Sequence, residues 1–425
     1  MEEILRNMGL IARTRLAKVC MSWSSLVMRA EIRSAPQLPW LVHPQTPNTN
    51  YLTFSSLSEG EVVNMELPKR FRGQGKFKFR ASSKGWLIIL QEKGFGFDMF
   101  LYNPISRARH QLPSLNTIPS FLSFQLARML GKVINNHADK HAENFVSKVV
   151  LSSPNISECI VAAVFEPQKE LGLCRPGDKS WTVFEILNHE DDFLMDLLFS
   201  QGMLYGLVDN VDNSKSTKNG IGAARILNFG DDQAMTVELK LVYGHKEVGN
   251  TTEYHDDYLI FLNRDYNSYL LESTTNSDKE ILLIHQMLDC LMPNCAAAAD
   301  DDDDDDESEI EYQRTSGFVV YKIDLECGNF HEVQNLGDQI IFLAEHSSSL
   351  SFPASDFKLQ GNCIYFATSG YATINLPLKT LLGSNISREI GIFSLDDRKI
   401  KRPFPSLDVA GISSPSQLSW FSPSL

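Results

Sequence analysis

Phe318-Val319-Val320-Tyr321-Lys322-Ile323-Asp324-Leu325, followed by Phe330-His331-Glu332-Val333, reads as an apolar strand, a polar turn and a shorter returning strand. The same logic recurs at Gly391-Ile392-Phe393-Ser394-Leu395-Asp396-Asp397 into Lys399-Ile400, and at Tyr102-Asn103-Pro104 into His110-Gln111-Leu112. Units repeated at roughly 45–50 residues suggest the blades of a β-propeller. The stretch from residue 51 onward would supply about six or seven of them. A β-sandwich is the alternative. It would need fewer strands, or two domains with a visible linker, and no convincing linker lies between 60 and 270.

Outward from these units, short β-rich segments alternate with turn signals along most of the chain. Gly85-Trp86-Leu87-Ile88-Ile89-Leu90 and Phe97-Asp98-Met99-Phe100-Leu101-Tyr102 are predicted strands, the second ended by the turn dipeptide Asn103-Pro104. Further strands are expected at 147–152, 159–165, 180–186, 204–208, 224–228, 237–242, 258–262, 269–272, 280–285, 340–344 and 362–367. The expected fold is therefore mainly β: a propeller over 51–425, with an acidic disordered insertion at about 294–312.

The front of the chain has another texture. Residues 2–34 read as helical, and 35–50, with four prolines, as a linker. In Leu16-Ala17-Lys18-Val19-Cys20-Met21-Ser22-Trp23, the residues Leu16, Val19, Cys20 and Trp23 fall at i, i+3, i+4 and i+7, one face of a helix. Leu26 and Val27 continue the stripe. On periodicity alone it either caps the propeller or docks on another protein; burying it contributes about 1.5–3 kcal/mol per large side chain either way.

Composition limits the function classes. The hydrophobic fraction of 43% supports a sizeable core. Apolar runs are too short to span a bilayer, and Glu2, Glu3 and Arg6 stand where a secretory signal would be apolar, so a cytoplasmic or nuclear location is expected. Seven scattered cysteines without a CxxC pair read as free thiols in a reducing compartment. The net charge of −14 is concentrated: residues 300–311 hold ten acids, and without them 43 acids face 39 bases. No basic stripe points to nucleic acid.

Motifs for chemistry are weak. Gly73-Gln74-Gly75 and Gly94-Phe95-Gly96 lack the third glycine of a phosphate loop. His137 and His141 have helical metal spacing but no HExxH glutamate and no evident third ligand. Cys290 and Cys295 lack a second pair for zinc. The Asp300–Asp306 run has neither the spaced ligands nor the glycine of a calcium loop. No GxSxG elbow occurs. No metal, cofactor or catalytic residue is expected, although propellers do host enzymes.

One resemblance covers most of the chain. Leu16–Trp23, preceded by Glu3-Ile4-Leu5, resembles the F-box, in which a leucine-rich opening leads to a helix ending in Val-Cys-x-x-Trp. The remainder resembles the KIB-type, kelch-like β-propeller of plant F-box proteins. The matching stretches include Pro36-Gln37-Leu38-Pro39-Trp40-Leu41, Gly85-Trp86-Leu87, Asn103 to Arg109 with Leu112-Pro113, Lys148 to Ser153, and Cys174 to Trp181. Later come Leu336-Gly337-Asp338, Ser355-Asp356-Phe357, Gly361 to Phe366 and Trp420-Phe421. The resemblance implies a non-catalytic substrate receptor of an SCF-type ubiquitin ligase. It would have a Skp-type adaptor, through it a cullin, and a protein substrate of unknown identity as partners. Carried over residue by residue, the adaptor contacts would be Ile4, Leu5, Leu16, Val19, Cys20 and Trp23. The segment departs from the pattern in lacking the opening Leu-Pro and about four residues, roughly one helical turn, before Cys20. It therefore reads as a shortened or degenerate F-box, and a propeller interaction module with a vestigial F-box is the alternative.

Overall fold

The structure is a computed structural model. It describes residues 12–13, 16, 19–27, 37–43, 51–58, 60–68, 77–93, 96–129, 145–165, 170–185, 192–210, 218–227, 236–243, 266–274, 280–291, 310–325, 329–369, 372–374, 388–402 and 418–423.

Strands β1 (Trp40–Val42), β2 (Tyr51–Ser56) and β3 (Val62–Glu66) open sheet 1. Sheet 2 follows with β4 (Phe77–Ser83), β5 (Trp86–Lys93), β6 (Gly96–Tyr102) and β7 (Arg109–Leu112). Sheet 3 holds β8 (Val146–Leu151), β9 (Val161–Phe165), β10 (Glu170–Cys174) and β11 (Thr182–Glu185). Sheet 4 holds β12 (Asp192–Ser200), β13 (Met203–Asn210), β14 (Lys218–Leu227) and β15 (Thr236–Tyr243). Sheet 5 holds β16 (Tyr266–Glu272), β17 (Ile281–Leu291), β18 (Ile310–Ile323) and β19 (Phe330–Glu332). Sheet 6 begins with β20 (Gln339–Ala344), β21 (Leu350–Pro353) and β22 (Cys363–Ser369). Next in the chain, β23 (Ala372–Ile374) joins β18 of sheet 5, and β24 (Arg388–Ser394) and β25 (Lys399–Lys401) complete sheet 6. Finally β26 (Ser419–Phe421) returns to pair with β1 in sheet 1.

The inner edge strands touch in series: β26 meets β4, then β8, β12, β16 and β21, and β20 of sheet 6 meets β26 again. That series is a closed ring, and the fold is a β-propeller. The N- and C-terminal strands share sheet 1, where Trp40 pairs with Phe421 and Leu41 with Trp420. The Trp420 indole donates to Leu343 O at 3.0 Å, tying the closing sheet to sheet 6.

The apolar runs follow from this architecture. Each sheet is covered on both faces, so strand residues alternate between two buried interfaces. In β5, Leu87 and Ile89 pack toward sheet 1, while Ile88 and Leu90 pack toward sheet 3. In β20, Ile341 and Leu343 face sheet 5 and Ile340 and Phe342 face sheet 1. A strand buried on both faces reads as a continuous apolar run rather than an alternation. Among the described residues, six apolar clusters fill the six interfaces around the ring.

Three expectations are corrected here. Residues 40–42 belong to sheet 1 rather than to a linker, because Trp40, Leu41 and Val42 are buried between β2 and β26. Residues 310–312, the end of the insertion expected at about 294–312, belong to β18, which starts at Ile310 and pairs with β17 and β23; 294–309 lie outside the described residues. The front of the chain is not one continuous helix through Trp23. Leu16 is helical, Val19 lies in a turn, and helix α1 runs only from Met21–Val27. The strand expected at 258–262 lies outside the described residues.

Candidate functional site

The axis of the ring is where a propeller would place a central pocket, and here a segment of the chain is hydrogen-bonded across the inner strands. The segment between β20 and β21 leaves sheet 6 and crosses to sheets 2 and 3. Ser348 N donates to Ser82 O at 3.0 Å and Ser348 Oγ to Ser83 Oγ at 2.7 Å. Ser347 Oγ accepts from Ser82 N at 2.9 Å and also contacts Ser419 Oγ. His346 Nδ1 donates to Ser147 O at 2.6 Å.

Charged groups join this segment to the inner strands. Lys148 Nζ lies 2.7 Å from Asp196 Oδ1, and both side chains are 2% exposed. The same ammonium donates to Ser347 O at 2.7 Å. Asp196 accepts from Leu197 N at 2.7 Å and, on its second oxygen, from Leu270 N at 2.8 Å. Arg80 Nε donates to Val146 O. One cluster thus binds sheets 2, 3, 4, 5 and 6 together. Burial pushes the Asp196 carboxyl up; Lys148 and the two N–H donors oppose that and do not fully offset it. Burial, with Arg80 and Lys148 nearby, holds the His346 imidazole well below its ordinary range. Its donated hydrogen bond fixes the proton on Nδ1 of the neutral ring.

Sequence reasoning missed this cluster. A signal existed: Lys148 and Asp196 are charges inside largely apolar strand runs, at Val146–Leu151 and Asp192–Ser200. Bulges explain how they reach the axis. The ladders shift register at Arg80 in β4, at Ser147 in β8 and at Met195 in β12, each beside a cluster residue. An extra residue re-aims its neighbours.

The N-terminal candidates are only partly gathered. Val19 is 67% exposed and Met21 87% exposed, Cys20 is exposed, and Leu16 and Trp23 are half-buried. Val19 N donates to Leu16 O at 3.0 Å and Ser24 N to Cys20 O at 2.9 Å, so a turn joins the two helical pieces. The four side chains therefore do not share one helical face. Ile4 and Leu5 lie outside the described residues, as do His137, His141, Cys295 and Asp300–Asp306. Gly73 and Gly75 lie outside them too; Gly96 starts β6. Cys290 lies near the end of β17. Among the described residues no three His, Cys, Asp or Glu side chains are grouped to hold a metal. No helix among them is long and apolar enough to cross a membrane. Cys159, Cys174 and Cys363 are buried free thiols, and burial pushes all three pKa values up, away from reactive thiolate.

Residues 54–394 match the family model described as KIB1-4 beta-propeller. The chain belongs to the KIB1-4 beta-propeller family. In this family member the sequence signatures are corner residues of the ring. Asn103 Oδ1 accepts from Ile105 N at 2.8 Å and Ser106 N at 2.9 Å, closing the Asn-Pro turn. The Trp86 and Trp181 indoles donate to Pro154 O and Pro113 O, both at 3.0 Å. Asn362 receives Leu336 N at 2.8 Å and donates to Asp396 at 2.6 Å.

Among curated proteins, the F-box/kelch-repeat protein At1g57790 of Arabidopsis thaliana is 29% identical over 201 residues, 45% of this chain and 47% of that protein. The F-box/kelch-repeat protein At3g18720 of the same plant is 23% identical over 52% of this chain and 54% of its own length. The chain spans about half the length of these relatives. A solved protein from Lactobacillus plantarum aligns over 90% of this chain and 99% of its own at 9% identity, with a TM-score of 0.37.

Proposed function

We propose that this chain is the substrate-recognition subunit of an SCF-type cullin–RING ubiquitin ligase. Its N-terminal segment docks on a Skp-type adaptor, which links it to a cullin, and the propeller holds the protein substrate. The receptor does no chemistry. It raises the effective concentration of a substrate lysine near the charged conjugating enzyme. Counting each sheet among the described residues as one blade gives the receptor domain six, and the working location is the cytoplasm or nucleus.

The observation that carries the reading is the apolar surface beside α1. Val19 and Met21 are largely exposed while Leu16 and Trp23 are half-buried. Burying them on a partner contributes about 1.5–3 kcal/mol each. Relatives that carry "F-box" in their names support the adaptor as that partner. Ile4, Leu5, Leu16, Val19, Cys20 and Trp23 form the proposed contact set. Co-purification of a Skp-type adaptor with the intact chain, lost on Trp23→Ala with Leu16→Ala, is the expected result. Failure of the intact chain to retain any adaptor refutes the reading.

The turn at Val19, which interrupts the helix, favours a second reading: a propeller interaction module with a vestigial F-box and no ligase role. It predicts that deletion of residues 1–34 leaves partner binding unchanged and that no ubiquitin reaches the partner.

A further inference from the structure

The outer edge of sheet 6 carries the sequence Arg398-Lys399-Ile400-Lys401-Arg402, four cations in five residues of a chain whose net charge is −14. Strand β25 forms its centre. Lys399 and Lys401 are exposed, while Ile400 between them is half-buried and packs on the core shared by sheets 5 and 6. The two lysines therefore project from one side of the strand, two residues apart.

The four cations differ in what they touch. Arg402 Nη2 lies 3.2 Å from Glu389 Oε1, and Arg398 Nη2 lies 2.5 Å from Gln334 Oε1 and 3.7 Å from Glu332. Among the described residues no carboxylate stands in a salt bridge with Lys399 or Lys401, although both lysines act at longer range on the exposed Asp397, whose side chain accepts from Lys399 N. Strand β25 also ends its sheet: among the described residues it pairs only with β24. An edge strand presents unpaired N–H and C=O groups to any extended chain laid beside it.

We infer that β25 is a docking edge for an acidic, extended segment of a protein partner, which adds as a strand and sets carboxylates opposite Lys399 and Lys401. Charge complementarity and periodicity select this occupant. Alternate cations match alternate acids of a β-strand, and the apolar residue between those acids falls on the side of Ile400. The nearby Asp396, Asp397 and Glu332 break up the positive field, which disfavours a continuous polyanion such as nucleic acid. The inference deepens the reading of the propeller as the substrate-holding domain. The two fail separately, because adaptor capture is read by co-purification and the edge by peptide binding.

The test uses the full-length chain and the fluorescence anisotropy of a labelled peptide that alternates glutamate and valine. Binding is expected to weaken about tenfold when Lys399→Glu and Lys401→Glu are combined. Lys399→Ser with Lys401→Ser, which removes the charges without reversing them, gives a smaller loss and keeps the test valid if the first variant misfolds. A peptide of the same composition with its glutamates contiguous binds about tenfold more weakly than the alternating one. Equal affinity for the two peptides overturns the inference. So does unchanged binding in a folded variant lacking both lysine charges, or tighter binding of a single-stranded DNA or of phosphatidylserine vesicles than of the alternating peptide.

Discussion

Replacing Lys148 with methionine keeps most of the side-chain length and removes the charge, so it tests the axial cluster directly. The pair it breaks is 2% exposed on both sides, with an N–O distance of 2.7 Å. Removing one partner of such a pair costs about 3–5 kcal/mol, because the other charge is stranded in the interior. The structure places the expected loss within that range rather than above it. Asp196 keeps two short N–H donors, from Leu197 and Leu270. Against that, the carbonyl of Ser347 loses its charged donor. The pair is not a large net gain in the parent protein either, since burial still outweighs Lys148 in setting the direction of the Asp196 shift.

A pH dependence follows. In Lys148→Met the carboxyl loses its strongest opposing charge, so its folded pKa rises further. A folded pKa above the unfolded one means that the native state gains protons as pH falls. The penalty of Lys148→Met is therefore largest near neutral pH and shrinks as pH falls toward about 4, where the unfolded carboxyl also protonates. Urea unfolding at several pH values reads this as a shift of midpoint at constant slope. A loss under about 1 kcal/mol at neutral pH would show that the pair behaves as a solvent-screened contact. A penalty that grows on acidification would show that Asp196 is not the stranded charge.

Three further outcomes are expected. His346→Gln flattens the acid side of the stability profile: the parent imidazole is held neutral, so its contribution is complete above about pH 6.5 and is lost as pH falls below it, and an unchanged acid slope refutes this. Trp420→Ala removes a 1%-exposed indole and its bond to Leu343 O, and should cost about 3–5 kcal/mol in denaturant unfolding; a near-neutral result means that sheet 1 does not close the ring in solution. Gly172→Ala sets a Cβ 2.2 Å from Phe165 Cε2, in a ring packed between Phe145 and Trp181, and should cost about 1–3 kcal/mol, whereas parent-like thermal stability contradicts that packing.

The strands most legible in the sequence are those buried on both faces. Trp86-Leu87-Ile88-Ile89-Leu90 has no polar interruption because each of its faces meets another sheet. Short strands were hidden. Trp40–Val42 sits among prolines that signal a linker, and Ser419–Phe421 is three residues long; the first is held between β2 and β26, and the second is a strand through its pairing with the first. Helix α2 (Pro119–Met129) was also missed, although Phe121 is fully buried and packs against Phe97 and Phe145. The axial residues are only partly legible, for a different reason. Lys148 and Asp196 stand out as charges in largely apolar strands, but one-residue bulges lie beside them and at Arg80, and a bulge leaves no dependable local signature.

The axial cluster also bears on where a partner can bind. Apolar packing alone is tolerant of which sheet lies beside which, because the six interfaces share one chemistry of branched and aromatic side chains. The cross-axis hydrogen bonds are not tolerant. Ser347 and Ser348 reach Ser82 and Ser83 of sheet 2, Lys148 of sheet 3 reaches back to Ser347, and Asp196 of sheet 4 takes Leu270 N of sheet 5. A one-residue slip in β4 or β8 turns these groups to the other face and leaves buried donors unmet, at about 1–3 kcal/mol each. The cluster thus fixes register and angular order with groups that contribute little net stability. It does so through the segment between β20 and β21, which lies against the inner strands. In the proposed reading a partner is held on the rims and outer edges of the sheets, where Lys399 and Lys401 stand exposed on β25.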